Sequence, residues 1–223
     1  MKTKGIITFL MFFIVLSISA QDFNEDFKVM QEIYNGKSYY LKFRITHSFF
    51  MNNKDSIVTT EGENFKVRDV YYEAVGDNKV FVDDEIMIRI NDSSKRIEIY
   101  PSSSYPKKEM GNPGFSNLNT TNDSVVFSGE LNGEKKYKIF SKTNRVKFYE
   151  ITIDSEGDLK ESIINYNNKG EGLKQIKMEV LSKKKKLNKD DFSIKKGSFI
   201  KLKYNNYQQV GDYITYQLFN KIN

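Results

Sequence analysis

The sequence predicts an α+β chain that is mostly antiparallel β. Two observations carry this. Short segments with period-two alternation of apolar and polar residues follow one another along the chain, separated by Gly, Asn and Asp turns. Aromatic residues are abundant, with 17 Phe and 14 Tyr against only 3 Pro. A third observation, one stripe of helical period near residue 23, supplies the α part.

The first element is expected to be removed. Residues 1–20, MKTKGIITFLMFFIVLSISA, join a basic start at Lys2 and Lys4 to an apolar stretch from Ile6 to Leu16, closed by Ser17, Ile18, Ser19 and Ala20. This is the pattern of a cleaved secretory signal peptide. Cleavage after Ala20 puts Ile18 at −3; cleavage after Ser19 puts Ser17 there. The apolar stretch is short for a membrane span of about 20 residues. The chain has no cysteine, which excludes disulfides and a lipid anchor on an N-terminal cysteine. A soluble, exported protein is expected, with residues 21–223 forming one domain.

Without Lys2 and Lys4, 33 of the 35 basic residues remain against 29 acidic ones, a net charge of +4. The basic residues are spread along the chain beside acidic ones, which argues against nucleic acid as a partner.

Phe23, Phe27, Met30 and Ile33 or Tyr34 recur at helical spacing, with Gly36 just beyond. They predict a helix with one core-facing stripe. Residues 39–49 then alternate, with Leu41, Phe43, Ile45, His47 and Phe49 on one side and Tyr40, Lys42, Arg44, Thr46 and Ser48 on the other. Further strands are expected at 56–60, 64–68, 70–75, 79–82, 85–91 and 95–100. Their turns carry Glu61-Gly62, Gly76-Asp77-Asn78, Asp83-Asp84 and Asn91-Asp92-Ser93. Residues 101–123 hold all three prolines and break the rhythm as a long loop, either a surface excursion or a lid. Strands resume at 124–128, 135–141, 146–154, 159–166 and 173–181. Residues 183–186 are four lysines, expected as a solvated link to a short strand around Phe192. Alternation over 213–218 predicts one more strand.

The chemistry expected is that of a binder, not an enzyme. The chain has one histidine, His47, at an inward strand position between Ile45 and Phe49, and no glycine-flanked serine elbow. With no cysteine and a single histidine, thiolate and multi-histidine metal sites are excluded. Asp83, Asp84 and Glu85 read as a solvated turn. Asp154, Glu156 and Asp158 resemble a calcium loop, but Asn165 stands where its closing acid belongs. No cofactor is expected. An antiparallel sheet with one apolar face needs cover. One helix and one loop leave room for a cavity suited to acyl chains; the alternative is a sheet folded into a packed sandwich.

The order of elements resembles the LolA-like and LolB-like lipoprotein carriers over about residues 23–202. The resemblance rests on five stretches. "YNGKSYYLKFRITHSFF" is similar to the family's first long strand, and "GENFKVRDVYYEAV" to the strand pair that follows. "VFVDDEIMIRINDSSKRIEIYP" matches its hairpin, but without the usual tryptophan and with Asp84 or Glu85 in place of a common glycine. "VKFYEITIDSEGDLKESIINYNNKG" and "KMEVLSKKKKLNKDDFSIKKGSFIKL" are similar to its later paired strands and its closing pattern.

The resemblance implies an incomplete (half) β-barrel, with the N-terminal helix and a lid at 101–123 over the concave face. Residues 203–223 would be a C-terminal extension. It implies a periplasmic, monomeric carrier that shelters acyl chains of lipoproteins, or another lipid, and touches envelope transport proteins transiently. A sensing or protein-docking module on the same fold is the alternative. Leu41, Phe43, Ile45 and Phe49 would form one cavity wall, and Phe65, Tyr72, Ile86, Ile88, Ile97, Ile99, Phe148 and Met178 others. Arg44 is nearest in position to a lid-bonding arginine of the family, although alternation points it away from Phe43; a solvated strand arginine is the other reading. Lys183, Lys184, Lys185 and Lys186 would steer docking to an anionic membrane or a partner.

Overall fold

The computed structural model describes residues 23–32, 34, 36, 38–105, 124–142, 145–167, 170–187, 194–204 and 206–222. The signal peptide, most of the expected lid and the strand expected around Phe192 lie outside the described residues.

Helix α1 covers residues 23–32. The strands that follow are β1 (Ser38–Met51), β2 (Lys54–Val67), β3 (Val70–Val75), β4 (Asn78–Val82), β5 (Ile86–Asn91) and β6 (Arg96–Pro101). After a 3₁₀ turn at Ser102–Ser104 come β7 (Ser124–Leu131), β8 (Glu134–Phe140), β9 (Val146–Ile153), β10 (Leu159–Tyr166) and β11 (Gly172–Lys184). The chain closes with β12 (Ile200–Lys203), β13 (Asn206–Gln209) and β14 (Gln217–Asn220). Twelve strands make one sheet in the order β14-β6-β5-β4-β3-β2-β1-β11-β10-β9-β8-β7, while β12 and β13 pair separately. The pairs from β2 to β6 and from β7 to β11 are antiparallel, and β14 lies parallel to β6. Among the described residues, β14 and β7 stand at the two ends of that order. The fold is the expected α+β class, a mostly antiparallel open sheet of the incomplete-barrel type.

Three expectations are corrected. The strands expected at 56–60 and 64–68 are one strand, β2, so Glu61-Gly62 is not a turn. Gly62 is needed for a close approach: a Cβ there would stand 2.7 Å from the Phe43 ring and 2.8 Å from the Ala74 carbonyl oxygen. The turn is Asn52-Asn53, with φ of 52° and 59°, the left-handed pair of a two-residue hairpin. Second, β11 runs on through Lys183 and Lys184, so the lysine run begins inside a strand. Third, Tyr213 ends a 3₁₀ turn and the strand begins only at Gln217. Tyr213 and Tyr216 turn toward each other instead, ring centroids 5.1 Å apart.

The chain divides into two compact units, one of residues 1–33, 44–59 and 117–180, the other of 34–43, 60–116 and 181–223. In the first, cross-strand partners share a face. Tyr137 opposes Ile151, Ile151 opposes Ser162 and Ser162 opposes Met178. This face, with Ile139, Ile153 and Leu159, is buried. α1 lies on it: Phe23 and Phe27 are buried, and the Phe23 ring meets that of Tyr137 at 4.9 Å. Asp26 fixes the helix by accepting hydrogen bonds from Lys135 Nζ, at 2.9 and 3.0 Å, and from the Tyr137 hydroxyl. The opposite face is charged, with Lys177 between Glu161 and Glu179 at 2.8 and 3.1 Å and Lys138 3.2 Å from Glu150.

The second unit is apolar on one face and partly apolar on the other, where Glu73, Arg89 and Glu98 share the face of Val80 and Met87. On one, Phe65, Tyr72, Phe81, Ile86, Ile88, Ile90, Ile97 and Ile99 join Phe199 and Ile200 in one buried cluster. The C-terminal segment covers it with Tyr207, Tyr213, Tyr216 and Leu218. On the other, Tyr71, Val82 and Met87 form a second cluster with Val80, Tyr100 and Tyr105.

Candidate functional site

The expected cavity wall divides over the two faces of the second unit. Phe65, Tyr72, Ile86, Ile88, Ile97 and Ile99 lie in the core that the chain's own C-terminal segment fills. Leu41 and Phe43 lie on the other face. Tyr40 between them packs against the filled core and donates its hydroxyl to Glu63 at 3.2 Å. Tyr39, Leu41 and Phe43 therefore point the opposite way, and Phe43 sits over Gly62. Such a split is what a one-residue phase difference between neighbouring strands produces.

In the first unit, Ile45 and Phe49 are half-buried on β1, and the His47 ring stacks on Phe49 at 6.0 Å. Met178 is on the face under α1. Phe148 is on the charged face: it opposes Asn165, and the Lys138 ammonium lies 3.6 Å from its ring centroid. Arg44 is half-buried, and most of the lid it was expected to meet, residues 106–123 of 101–123, is outside the described residues. Lys183 is half-buried, while Lys184, Lys185 and Lys186 are exposed.

The candidate site is the apolar patch on the second unit's other face. Its buried residues are Tyr39, Leu41, Phe43, Tyr71, Val82 and Met87. Tyr34 meets the Tyr39 ring edge-on at 5.8 Å, and Tyr105 lies 5.7 Å from the Tyr71 ring. Tyr105 is the last described residue of the expected lid's first part, 101–105. Tyr71 donates its hydroxyl to Glu73 Oε2 at 2.5 Å. Tyr39 is 2 % exposed, and its hydroxyl has no hydrogen-bond partner among the described residues. Burial first, and the nearby Glu73 carboxylate second, push both phenols well above the usual tyrosine range. Both are thus neutral hydrogen-bonding groups set in an apolar wall. Their role was missed in the sequence because Tyr72, not Tyr71, was read as wall-facing, and Tyr39 sits at the start of its strand. The available signal was the continuation of the Leu41 and Phe43 alternation back to Tyr39.

The acidic turns are structural. Asp83 Oδ1 accepts the amides of Glu85 and Ile86 at 2.9 and 2.8 Å, and Glu85 pairs with Lys196. Asp154 Oδ1 accepts the amides of Glu156 and Asp158, each at 3.0 Å, around Gly157 with φ of 82°. Two hollows in this unit, of about 340 Å³ around Lys79, Arg89 and Arg96 and about 240 Å³ around Arg68 and Asp83, are lined by charged residues mixed with Val80 and Ile90 in the first and Val82 in the second. Among the described residues, no helix is long and apolar enough to cross a membrane.

No family model matches the sequence, and no curated protein matches it. Solved structures similar in fold include an uncharacterized conserved protein from Thermus thermophilus, at 7 % identity and a TM-score of 0.47 over 89 % of this chain and 98 % of that one. A LolA superfamily protein from Nitrosomonas europaea matches at 7 % identity and a TM-score of 0.33, over 77 % of this chain and 97 % of that one. The Pseudomonas aeruginosa MucA/MucB complex matches at 14 % identity and a TM-score of 0.37, over 73 % of this chain and 56 % of that one.

Proposed function

We propose that the protein is an envelope carrier that shelters an acyl chain against the face built by Tyr39, Leu41, Phe43, Tyr71, Val82 and Met87. The observation that supports this reading is a second buried apolar patch on the sheet face opposite the main core. A sheet with one apolar face is satisfied by one cover. Here the C-terminal segment covers one face, and a second buried patch on the other face packs against Tyr105, a residue of the expected lid. Each buried methylene is worth about 0.8 kcal/mol, so an alkyl chain under that lid would be held by length alone.

The hydroxyl of Tyr39 adds a polar handle. An unmatched buried hydroxyl costs roughly 1–3 kcal/mol, a cost that an ester or amide of the ligand's linker would relieve by hydrogen bonding. The ligand class that fits is therefore an acylated, weakly polar molecule such as a lipidated peptide or a glycerolipid. A periplasmic location accompanies this reading, through the expected signal peptide.

The test is native mass spectrometry of the chain from residue 21, purified from the envelope of its host, followed by titration with a fluorescent palmitoyl peptide. An acylated adduct and saturable binding are expected, and Tyr39→Phe should weaken binding several-fold while leaving the melting temperature unchanged or higher. A ligand-free protein that also fails to take up the probe would overturn the carrier reading and leave the protein-docking module on the same fold.

A further inference from the structure

We infer that the β12–β13 hairpin is a docking element for an anionic lipid surface. This goes beyond the carrier reading and does not depend on it. The hairpin stands apart from the large sheet as a two-stranded ribbon, with Leu202 opposite Tyr207 and Lys203 opposite Asn206. Its base is anchored: Ile200 is buried, and Tyr207 packs against the core of its unit. Beyond the anchor it is bare. Leu202 is 62 % exposed and Tyr204, at the end of β12, is 85 % exposed. Exposed large apolar side chains are ordinary singly. An aliphatic and an aromatic residue at one protruding tip, on an anchored base, are less so.

Charge selects the occupant. From Ser193 to Gly211 the sequence has four lysines and no acidic residue. Lys196 is held by Glu85, its ammonium raised above the usual range first by that hydrogen bond. Lys195, Lys201 and Lys203 are exposed, and no carboxylate pairs with them among the described residues. The Lys203 ammonium lies 5.3 Å from the centroid of the Tyr204 ring. An exposed aromatic ring, an exposed aliphatic side chain and lysines able to reach phosphates are the components of an interfacial anchor. A protein groove would also accept Leu202 and Tyr204, but the one-signed charge around them matches the negative surface of a bilayer.

The chain has no tryptophan, so Leu202→Trp installs a single emitter at the tip. Leu131→Trp, at a site 72 % exposed in the other unit, is the control. With vesicles rich in phosphatidylglycerol, a blue shift is expected from Leu202→Trp, none from Leu131→Trp, and none from either with phosphatidylcholine alone. In sedimentation of the otherwise unaltered chain, Lys201→Gln with Lys203→Gln should lower affinity about fivefold per lysine, and raised salt should do the same. The inference is overturned by equal shifts at both positions, by no shift at Leu202→Trp, or by unchanged sedimentation of the lysine variant. Because the emitter reports the tip itself, uptake of a lipid into an internal cavity would leave it unmoved. A failure of the carrier reading would leave the shift at Leu202→Trp in place.

Discussion

The two units solve the same problem differently. In the first, the sheet is apolar on one face and charged on the other, and one helix covers the apolar face through Phe23, Phe27 and Met30. In the second, one face is apolar and covered by the C-terminal segment through Phe199 and Ile200, and the other carries a smaller apolar patch beside Arg89 and Glu98. A one-sided sheet is complete once it has a helix. The smaller patch needs a cover of its own, and the surface under that cover is where a ligand site can develop.

The largest effects should come from removing the two covers. Phe199→Ala and Phe23→Ala each empty a fully packed aromatic site, and each should cost about 3–5 kcal/mol. Native-state hydrogen exchange would tell them apart: Phe199→Ala should strip protection from β3–β6, and Phe23→Ala from β8–β10. If either variant lowers protection evenly across all of these strands, the units unfold together and the contrast is thermodynamically empty.

Gly62→Ala should come next. The new Cβ would have to displace the Phe43 ring and the Ala74 carbonyl, both under 3 Å away. Overpacking of this kind costs about 1–3 kcal/mol. Phe43→Leu in the same chain should recover part of that loss in urea melts; no recovery would place the strain on the backbone alone.

Alkaline pH probes the second unit specifically. Burial pushes the Tyr72 phenol up to about 12, and pushes Tyr39 and Tyr71 higher. Unfolded tyrosines ionise near about 10. The folded values are raised, so these groups favour the folded state fully below about pH 10, and that contribution falls as pH rises through the folded values. Stability should therefore drop from about pH 10 upward, and Tyr39→Phe should flatten the drop. A profile unaffected by Tyr39→Phe would mean its hydroxyl is hydrated.

Much of this contrast was legible in the sequence. Period-two alternation located β1 closely, and the Gly, Asn and Asp turns between short apolar runs located β3–β6. The helix was equally plain from Phe23, Phe27 and Met30. What the pattern does not carry is the phase between strands: Leu41 and Phe65 are each apolar on an alternating strand, and nothing local says they face opposite ways. Phe148 is misleading for a related reason, since an aromatic ring can also sit on a charged face under a lysine ammonium. The role of Gly62 was hidden because a glycine beside a glutamate reads as a turn until the ring above it is known.

The smallest effect should come from the charged face of the first unit, where contacts are most numerous in kind and weakest in energy. Lys177 bridges Glu161 and Glu179, and those hydrogen bonds raise its ammonium above the usual lysine range against a smaller opposing effect of burial. The side chain is about a third exposed, so screening by water and salt removes most of what the geometry suggests. Lys177→Ala should cost under about 1 kcal/mol, and a double-mutant cycle with Glu161→Ala should give a coupling that shrinks further in high salt. A coupling as large as the loss at Phe23→Ala would show that this face is a second structural core in its own right, and that the one-sided description of the first unit is mistaken.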